Sequence, residues 1–296
     1  MFIVAFAFVA GCLTFAQAPK DFPALEEKAG HGDASAQYDL ASRYFNGNGV
    51  PEDPERALAL MQKSAEQGDV DAERSLGAMY DQGGCIPVNY SEAEKWFKKA
   101  AEQGDPLAQY ALSGYYGEGH STLGSPIPNI HKDQVEAVKW LRKAVEHSHA
   151  DVQWQRLAQC QLAKHYQDGV GITKDEAAAF KWFRKAAESG DPRAQYDLSQ
   201  CYIKGIGTVR DDGEAVKSLQ RAASQRFIKA YAPLGEYLAD GRGVTQDRVE
   251  GYKWLLLACE RDKEPGVLKA KADLEARLTP AQIKEAKARA AAEALP

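Results

Sequence analysis

The apolar positions of this chain recur on two nested rulers. On the short ruler alanine, leucine and tyrosine stand four residues apart: Ala36–Leu40–Tyr44, Ala72–Leu76–Tyr80, Ala108–Leu112–Tyr116, Ala158–Leu162–Tyr166 and Ala194–Leu198–Tyr202, with Ala230–Leu234–Leu238 as the last set. Positions i, i+4 and i+8 line one side of an α-helix, so each triplet predicts the buried stripe of a helix, here helix A of its unit. On the long ruler Leu40, Leu76 and Leu112 are 36 residues apart, and so are Leu162, Leu198 and Leu234. A second marker, Leu60, Trp96, Trp140, Trp182, Ser218 and Trp254, is spaced 36, 44, 42, 36 and 36. Eight extra residues therefore fall within the third unit and six more between the third and fourth. Six units on one ruler predict a helical repeat array.

Each unit follows the same local rules. The residue after every marker leucine is small (Ala41, Gly77, Ser113, Ala163, Ser199, Gly235), which lets a neighbouring helix approach closely. Glycine pairs such as Gly169/Gly171 and Gly205/Gly207 then end the helix. Asp53, Asn89, Asp133, Asp175, Asp211 and Asp247 stand seven residues before the second marker. Asp and Asn are strong N-caps, because the side-chain oxygen accepts from an orphan amide, so each predicts the start of a second helix, B. Helix B carries alanine three residues before its large residue, as in Ala93/Trp96 and Ala179/Trp182. Residues 22–32 match only the end of a helix B and read as a half-repeat cap. At the other end Thr279, Pro280 and Gln282 predict a capped closing helix.

Ala-Gln-Tyr-x-Leu, Tyr-x-x-Gly-x-Gly, the capping Asp, Ala-x-x-Trp and Lys-Ala-Ala-Glu-x-Gly-Asp together resemble the Sel1-like repeat, a relative of the tetratricopeptide repeat. Ala194–Leu198 and Lys185–Asp191 carry the likeness most fully, and it extends over residues 33–262. The resemblance implies an all-α fold, a right-handed α-solenoid of about six helix–turn–helix repeats, acting as an adaptor in protein assemblies. The expected array spans 22–262, with units near 33–68, 69–104, 105–148, 149–190, 191–226 and 227–262, followed by capping helices in 263–296.

The first residues suggest an address. Positions 2–16 are almost wholly apolar and the first charge is Lys20, a run too short for a comfortable membrane span. Two readings are open. Ala16-Gln17-Ala18 is a small-x-small site that makes 1–18 a secretory signal peptide. Alternatively, Val9-Ala10-Gly11-Cys12 matches a lipobox, with 1–11 removed and lipid on Cys12 tethering the protein to an outer membrane. Export to the periplasm or the exterior is expected in either case.

Composition adds exclusions rather than an activity. The chain is 44% hydrophobic and 27% charged, enough to bury a core. Its net charge is −5 and no block of five like charges occurs, which argues against a nucleic-acid partner. No nucleotide-binding loop, nucleophile elbow or zinc-protease helix is present, and no cofactor or metal is expected. His147 and His149 make at most half a metal site. Cys85, Cys160, Cys201 and Cys259 occupy four different repeat positions, unlike the fixed disulfide framework of cysteine-rich secreted Sel1-like proteins. That difference weakens transfer of the penicillin-binding or β-lactamase activity attributed to that group, and leaves a Cys160–Cys201 bridge as an option.

The face of helix A away from its stripe is the expected binding surface. Positions two before and two after each leucine point there, and those expected to meet a protein or peptide partner are Tyr38, Arg74, Tyr110, Lys164, Tyr196, Gln200 and Glu236. Tyrosine and arginine give large contact area at modest entropic cost. The tyrosines also have an alternative role as consensus residues packed on the next helix. The third-unit insertion, Gly119–Lys132, holds Leu123, Ile127 and Ile130 and is expected to pack down on the solenoid or against a partner, beside the binding face. The functional expectation is an exported, non-catalytic, monomeric adaptor, with a cell-wall-related hydrolase as the alternative.

Overall fold

The structure, a computed structural model, describes residues 21–83, 86–117, 119, 132–146, 152–261 and 263–294. The leader with Cys12, Cys85, the interior of the 119–132 insertion, and His147 and His149 lie outside the described residues. All regular elements among the described residues are helices, and they fall into two compact units that divide at residue 150. The first unit contains α1 (Phe22–Gly30), α2 (Ala34–Asn46), α3 (Pro54–Glu66), α4 (Val70–Gln82), α5 (Tyr90–Glu102), α6 (Pro106–Gly117) and α7 (Gln134–Glu146). The second contains α8 (Val152–Asp168), α9 (Glu176–Glu188), α10 (Pro192–Lys204), α11 (Asp212–Ser224), α12 (Tyr231–Asp240), α13 (Arg248–Arg261), α14 (Pro265–Glu275) and α15 (Pro280–Ala294). Within each unit, helices A and B of a repeat pack as a hairpin, α2 with α3 through α12 with α13, and helix B packs again on the next helix A. The result is an all-α solenoid.

The capping residues do two jobs at once. Asp53, Asn89, Asp133, Asp175, Asp211 and Asp247 each accept a bond from the amide three residues on, opening helix B. Their own amides donate backward, to the carbonyls of Tyr44, Tyr80, Tyr116, Tyr166, Tyr202 and Leu238 at 2.8–3.1 Å. One residue thus satisfies an orphan carbonyl of helix A and an orphan amide of helix B. The glycines of the turn are required by space as well as by dihedral. A Cβ on Gly207 would lie 1.9 Å from the Glu176 carbonyl oxygen, so the fifth turn sits directly on the fourth repeat's helix B.

All six stripe alanines and all six marker leucines are buried, as the four-residue spacing predicts. A deeply buried large side chain of helix B lies one residue past the tryptophan marker: Met61, Phe97, Leu141, Phe183, Leu219 and Leu255 are each no more than 4% exposed. It stands four residues after the helix B alanine (glycine at 251), whereas the tryptophan lies at the stripe's edge. Lys99 crosses the Trp96 ring at 4.1 Å and Lys143 crosses Trp140 at 4.4 Å, so lysine stems roof the exposed aromatic edge. The small residues earn their place by proximity. A Cβ on Gly77 would meet the Phe97 ring at 2.8 Å, and one on Gly235 would meet the Gly251 carbonyl oxygen at 2.8 Å.

A ladder of buried side-chain amides joins consecutive repeats. Gln37, Gln109 and Gln195 donate to the carbonyls of Ala29, Ala101 and Ala187, eight residues earlier, at the end of the preceding helix B. Gln67 and Gln225, at the end of the same repeat's helix B, donate in turn to the Gln37 and Gln195 side-chain oxygens at 2.8 and 2.9 Å. In the second repeat the rung is Glu73, which accepts from Gln103 at 2.8 Å. Burial raises its pKa above the ordinary glutamate value, while Gln103 and Lys99 oppose the rise. The Gln109 and Gln159 side-chain oxygens, in the third and fourth repeats, have no partner; in the fourth, Ser189 stands where repeats one, two and five have Gln67, Gln103 and Gln225, and is too short.

The ends differ from the middle. Thr279 and Gln282 form the expected capping box: the Thr279 amide donates to Gln282 at 2.9 Å, and the Gln282 amide to Thr279 Oγ1 at 3.3 Å. The helix they open, α15, buries Ala286 and Ala290 against the last repeat. Arg289 reaches Glu250 at 3.2 Å, and Lys253 reaches Glu293 at 3.5 Å. The fifth-to-sixth junction departs from pattern. Gly32, Gly68, Gly104 and Gly190 hold φ between 87° and 99°, but Arg226 occupies the same position at φ 61°. Phe227 stands where Asp33, Asp69, Asp105 and Asp191 cap helix A in four other repeats, and the sixth helix A begins with a 3-10 turn, Ile228–Ala230.

Two substitutions check these assignments. Ser189→Gln supplies the missing donor to Gln159 and is expected to raise stability in urea unfolding by about 1 kcal/mol. Arg226→Gly removes a left-handed side-chain clash of about 1–2 kcal/mol and returns part of it as unfolded-state entropy. A net rise of roughly 0.5 kcal/mol is expected, measured as an upward shift of the unfolding midpoint.

Candidate interaction face

The helix A residues facing away from the stripe are mostly half-buried and tied to the adjoining repeat. In the first unit Tyr38 packs on the core cluster of Met61, Leu76 and Trp96, Tyr110 is half-buried, and Arg74 lies between two acids. Its guanidinium meets Asp105 at 2.7 Å and Asp71 at 2.5 Å. Burial alone would lower the Arg74 pKa; Asp105 and Asp71 outweigh it and raise it. Asp105 caps α6 through the Ala108 amide and its side chain is only 7% exposed, so Arg74 braces a turn of the next repeat.

In the second unit Tyr196 packs on Phe227 with ring centroids 5.6 Å apart and planes tilted by 50°. Lys164 and Glu236 remain substantially open, at 44% and 47% side-chain exposure. Lys164 stands 3.7 Å from Asp197, and Glu236 stands 3.8 Å from Arg242. Burial raises the pKa of both carboxyls, against the pull of Lys164 and Arg193 on Asp197 and of Arg242 on Glu236. Gln200 is half-buried on the same helix as Tyr196. Five of the seven candidate residues therefore divide by role: Tyr38, Arg74 and Tyr196 hold repeats together, whereas Lys164 and Glu236 present charge to solvent.

Asp197 and Asp105 escaped the sequence reading. Each faces an opposite charge 33 or 31 residues earlier, Lys164 or Arg74, so a search for charge pairs near the repeat length would have found them. A third acid, Asp81, is 2% exposed and accepts a hydrogen bond from the Tyr115 hydroxyl, itself fully buried. Burial and then Asp81 push the Tyr115 pKa far upward, which makes Tyr115 a lasting donor. Asp81 stands where the other repeats carry Phe45, Gly117, Gln167, Ile203 and Ala239, so the repeat pattern does not reveal it.

The optional Cys160–Cys201 bridge does not form. Both thiols are free and buried in one apolar cluster with Phe183 and Leu198, as is expected of small hydrophobic side chains. Burial, reinforced by Asp197, pushes both up to about 12. Thiols held protonated in this way are poor nucleophiles at neutral pH. The Cys259 thiol donates to the Val267 carbonyl oxygen at 3.8 Å. Among the described residues no group of three His, Cys, Asp or Glu side chains converges as a metal site, and His165 Nδ1 lies 2.8 Å from the Val170 carbonyl oxygen.

The division of roles has a measurable consequence. Arg74→Ala leaves the Asp105 carboxylate, nearly inaccessible to water, without its guanidinium and is expected to cost about 1–2 kcal/mol. Lys164→Ala, at a more exposed pair, is expected to change stability by no more than about 0.5 kcal/mol. Urea unfolding of the two variants beside the parent separates them.

Comparison with known proteins places this geometry. The Sel1 repeat profile matches six times, at residues 34–69, 70–105, 106–149, 156–191, 192–227 and 228–263. No curated protein matches significantly. Among solved structures, the chain is similar to c5321, a protective antigen present in uropathogenic Escherichia coli strains and displaying an SLR fold. The identity is 30% and the TM-score 0.71, over 90% of this chain and 54% of that one. The chain thus spans about half the length of that relative. A Sel1 repeat protein from Oxalobacter formigenes is also 30% identical, with TM-score 0.61, over 78% of this chain and 89% of its own. Six profile matches across most of the length and a shared solenoid at 30% identity lead to one conclusion: this chain belongs to the Sel1 repeat family.

Proposed function

We propose that the protein is a non-catalytic scaffold that holds a protein or peptide partner on the exposed face of its A helices. The observation that carries this reading is the division of the A-helix face. Consensus positions are spent on contacts between repeats, while Lys164 and Glu236 stand at equivalent positions of repeats four and six with side chains 44% and 47% exposed. Equivalent positions that differ in charge from one repeat to the next are where a stacked array encodes selectivity without altering its fold. The family supports the reading in its coarse form, since Sel1 repeats commonly serve as protein-interaction scaffolds. Proteins built this way bind through a few desolvated side chains surrounded by near-neutral contacts.

The proposal includes export, resting on the apolar run at 2–16 and on Cys12 or Ala18 as the processing point. Intact mass of the mature protein separates the two routes, since a start at Cys12 carrying lipid differs from a start at Pro19. In either form the protein acts outside the cytoplasm as a monomer.

Affinity capture from envelope extracts tests the scaffold reading. The double charge reversal Lys164→Glu with Glu236→Lys is expected to retain parental helicity and to bind its partners at least about tenfold more weakly, a loss of about 1.4 kcal/mol. An identical partner set at unchanged affinity would sink the assignment of this face.

A further inference from the structure

One rung of the side-chain ladder is ionisable. The rung position, three residues before the marker leucine, carries an amide in four repeats (Gln37, Gln109, Gln159 and Gln195) and a carboxyl in the second, Glu73. In Gln37 and Gln195 both ends of the amide are used. The nitrogen donates to the Ala29 or Ala187 carbonyl at 3.1 and 3.3 Å, and the oxygen accepts from Gln67 or Gln225. Gln109 makes the same donation to Ala101 at 3.0 Å. Each of these carbonyls also accepts from the glycine three residues on, Gly32, Gly104 or Gly190, at 3.0–3.1 Å. In the second repeat the equivalent carbonyl is that of Ala65, eight residues before Glu73, and it accepts from Gly68 at 3.1 Å in the same way. Its second bond, from the rung, needs a donor that an ionised carboxyl lacks.

The carboxyl is fixed in place and shielded from water. Glu73 is 3% exposed, and its Oε2 accepts from Gln103 Nε2 at 2.8 Å, as Gln37 and Gln195 accept from Gln67 and Gln225. Gln103 Nε2 is anchored in turn on the Gly68 carbonyl at 3.2 Å. The accepting half of the rung is therefore made and only the donating half is missing. The charges nearby do not supply it. Lys99 and Glu102 face Glu73 from α5 with opposite signs, and Asp69 faces it from the turn that opens α4. Asp69 is occupied in capping the Ala72 amide, and Lys99 lies over the Trp96 ring. Arg74, the next residue of α4, is turned to Asp71 and to Asp105 at the start of α6. The charged side chains in the last turn of α3, Lys63 and Glu66, are exposed.

We propose that Glu73 is a proton-operated rung: on acidification its carboxyl takes a proton from solvent and donates it to the Ala65 carbonyl, closing the junction of the first and second repeats. A neutral carboxylic acid, like an amide, donates from one end and accepts at the other, so protonation turns Glu73 into the chemical equivalent of Gln37. Burial sets the direction of the response, raising the Glu73 pKa while Gln103 and Lys99 oppose the rise. The folded carboxyl therefore binds its proton at a higher pH than the unfolded one. Stability at this junction rises as pH falls through the folded value, and the gain is complete below the ordinary glutamate value. Paired surface acids such as Asp212, whose pKa Arg210 lowers, respond in the opposite sense. The amide rungs do not titrate, so in an array held by contacts between neighbours the response stays at one junction.

The test uses the full chain. Hydrogen exchange, corrected for the intrinsic pH dependence of amide exchange, is followed in two equivalent turns. The first is Gly68–Asp69, beside Glu73; the second is Gly190–Asp191, beside Gln195, and all four amides donate to the end of the preceding helix B. Between about pH 7.5 and about pH 4.5, protection at the first turn is expected to rise at least about fivefold relative to the second. Glu73→Gln, which places the ordinary amide in the rung, is expected to give the higher protection at both pH values. In carboxyl-carbon NMR the Glu73 resonance is expected to titrate above those of exposed glutamates, and higher still in Gln103→Ala, which removes the donor to the ionised form. Equal changes at the two turns, or a pH response that survives in Glu73→Gln, overturn the proposal. So does a Glu73 carboxyl that titrates together with the exposed glutamates.

Discussion

The backbone amide of one residue per repeat, Asp53 in the first, donates to a carbonyl in the last turn of the preceding helix, and the rest of the array depends on that closure. It fixes where helix A stops, where helix B starts and which way both stripes face. The third repeat shows how strong the constraint is. Its connection is eight residues longer than the others, yet the Asp133 amide still reaches the Tyr116 carbonyl at 2.8 Å. Because the closure is local, extra residues can be looped out without disturbing the register of either helix. That is why the insertion leaves Leu112, Trp140 and Leu141 as buried as their counterparts.

Stacking the hairpins raises a second problem, because each contact between repeats buries polar groups. The glutamine ladder answers it by joining carbonyl ends of successive B helices through a side-chain amide, which can donate and accept at once. A carboxylate in the same place can only accept, which is the position of Glu73, and its raised pKa records the cost of burial. At Gln109 and Gln159 the side-chain oxygen lacks a donor altogether. Repeats two, three and four are thus less completely satisfied than repeat one, although all share the same leucines and alanines. Stability in such an array is a sum over neighbouring contacts, so these local deficits stay local.

The same accounting separates structural charge from charge available to a partner. Arg74, Asp71 and Asp105 neutralise one another across a repeat boundary, and Asp81 is held by Tyr115 inside the core. Lys164 and Glu236 are not absorbed in this way into the core. A partner can be selected only by groups whose electrostatic field reaches solvent, and burial and pairing remove most of the others from consideration.

Much of this was legible from residue order alone, because the determinants are local. The four-residue stripe, the capping aspartates, the glycine turns and the Thr279–Gln282 box all act within ten residues, and helical geometry converts their spacing into helices and their ends. The pairings were not legible. Arg74 reads as a groove cation until Asp105, 31 residues on, is seen to hold it. Cys160 and Cys201 read as a possible bridge until they are found as separate thiols in one apolar cluster. Tryptophan is the more visible marker, yet the residue after it is the deeper one, since burial follows the angle at which helix B meets its neighbours. Sequence determined the repeat and its register, which rest on local hydrogen bonds and periodicity. Tertiary structure decided which charges are consumed between repeats and which face water, because that depends on distances between residues about thirty apart in the chain that only stacking brings together.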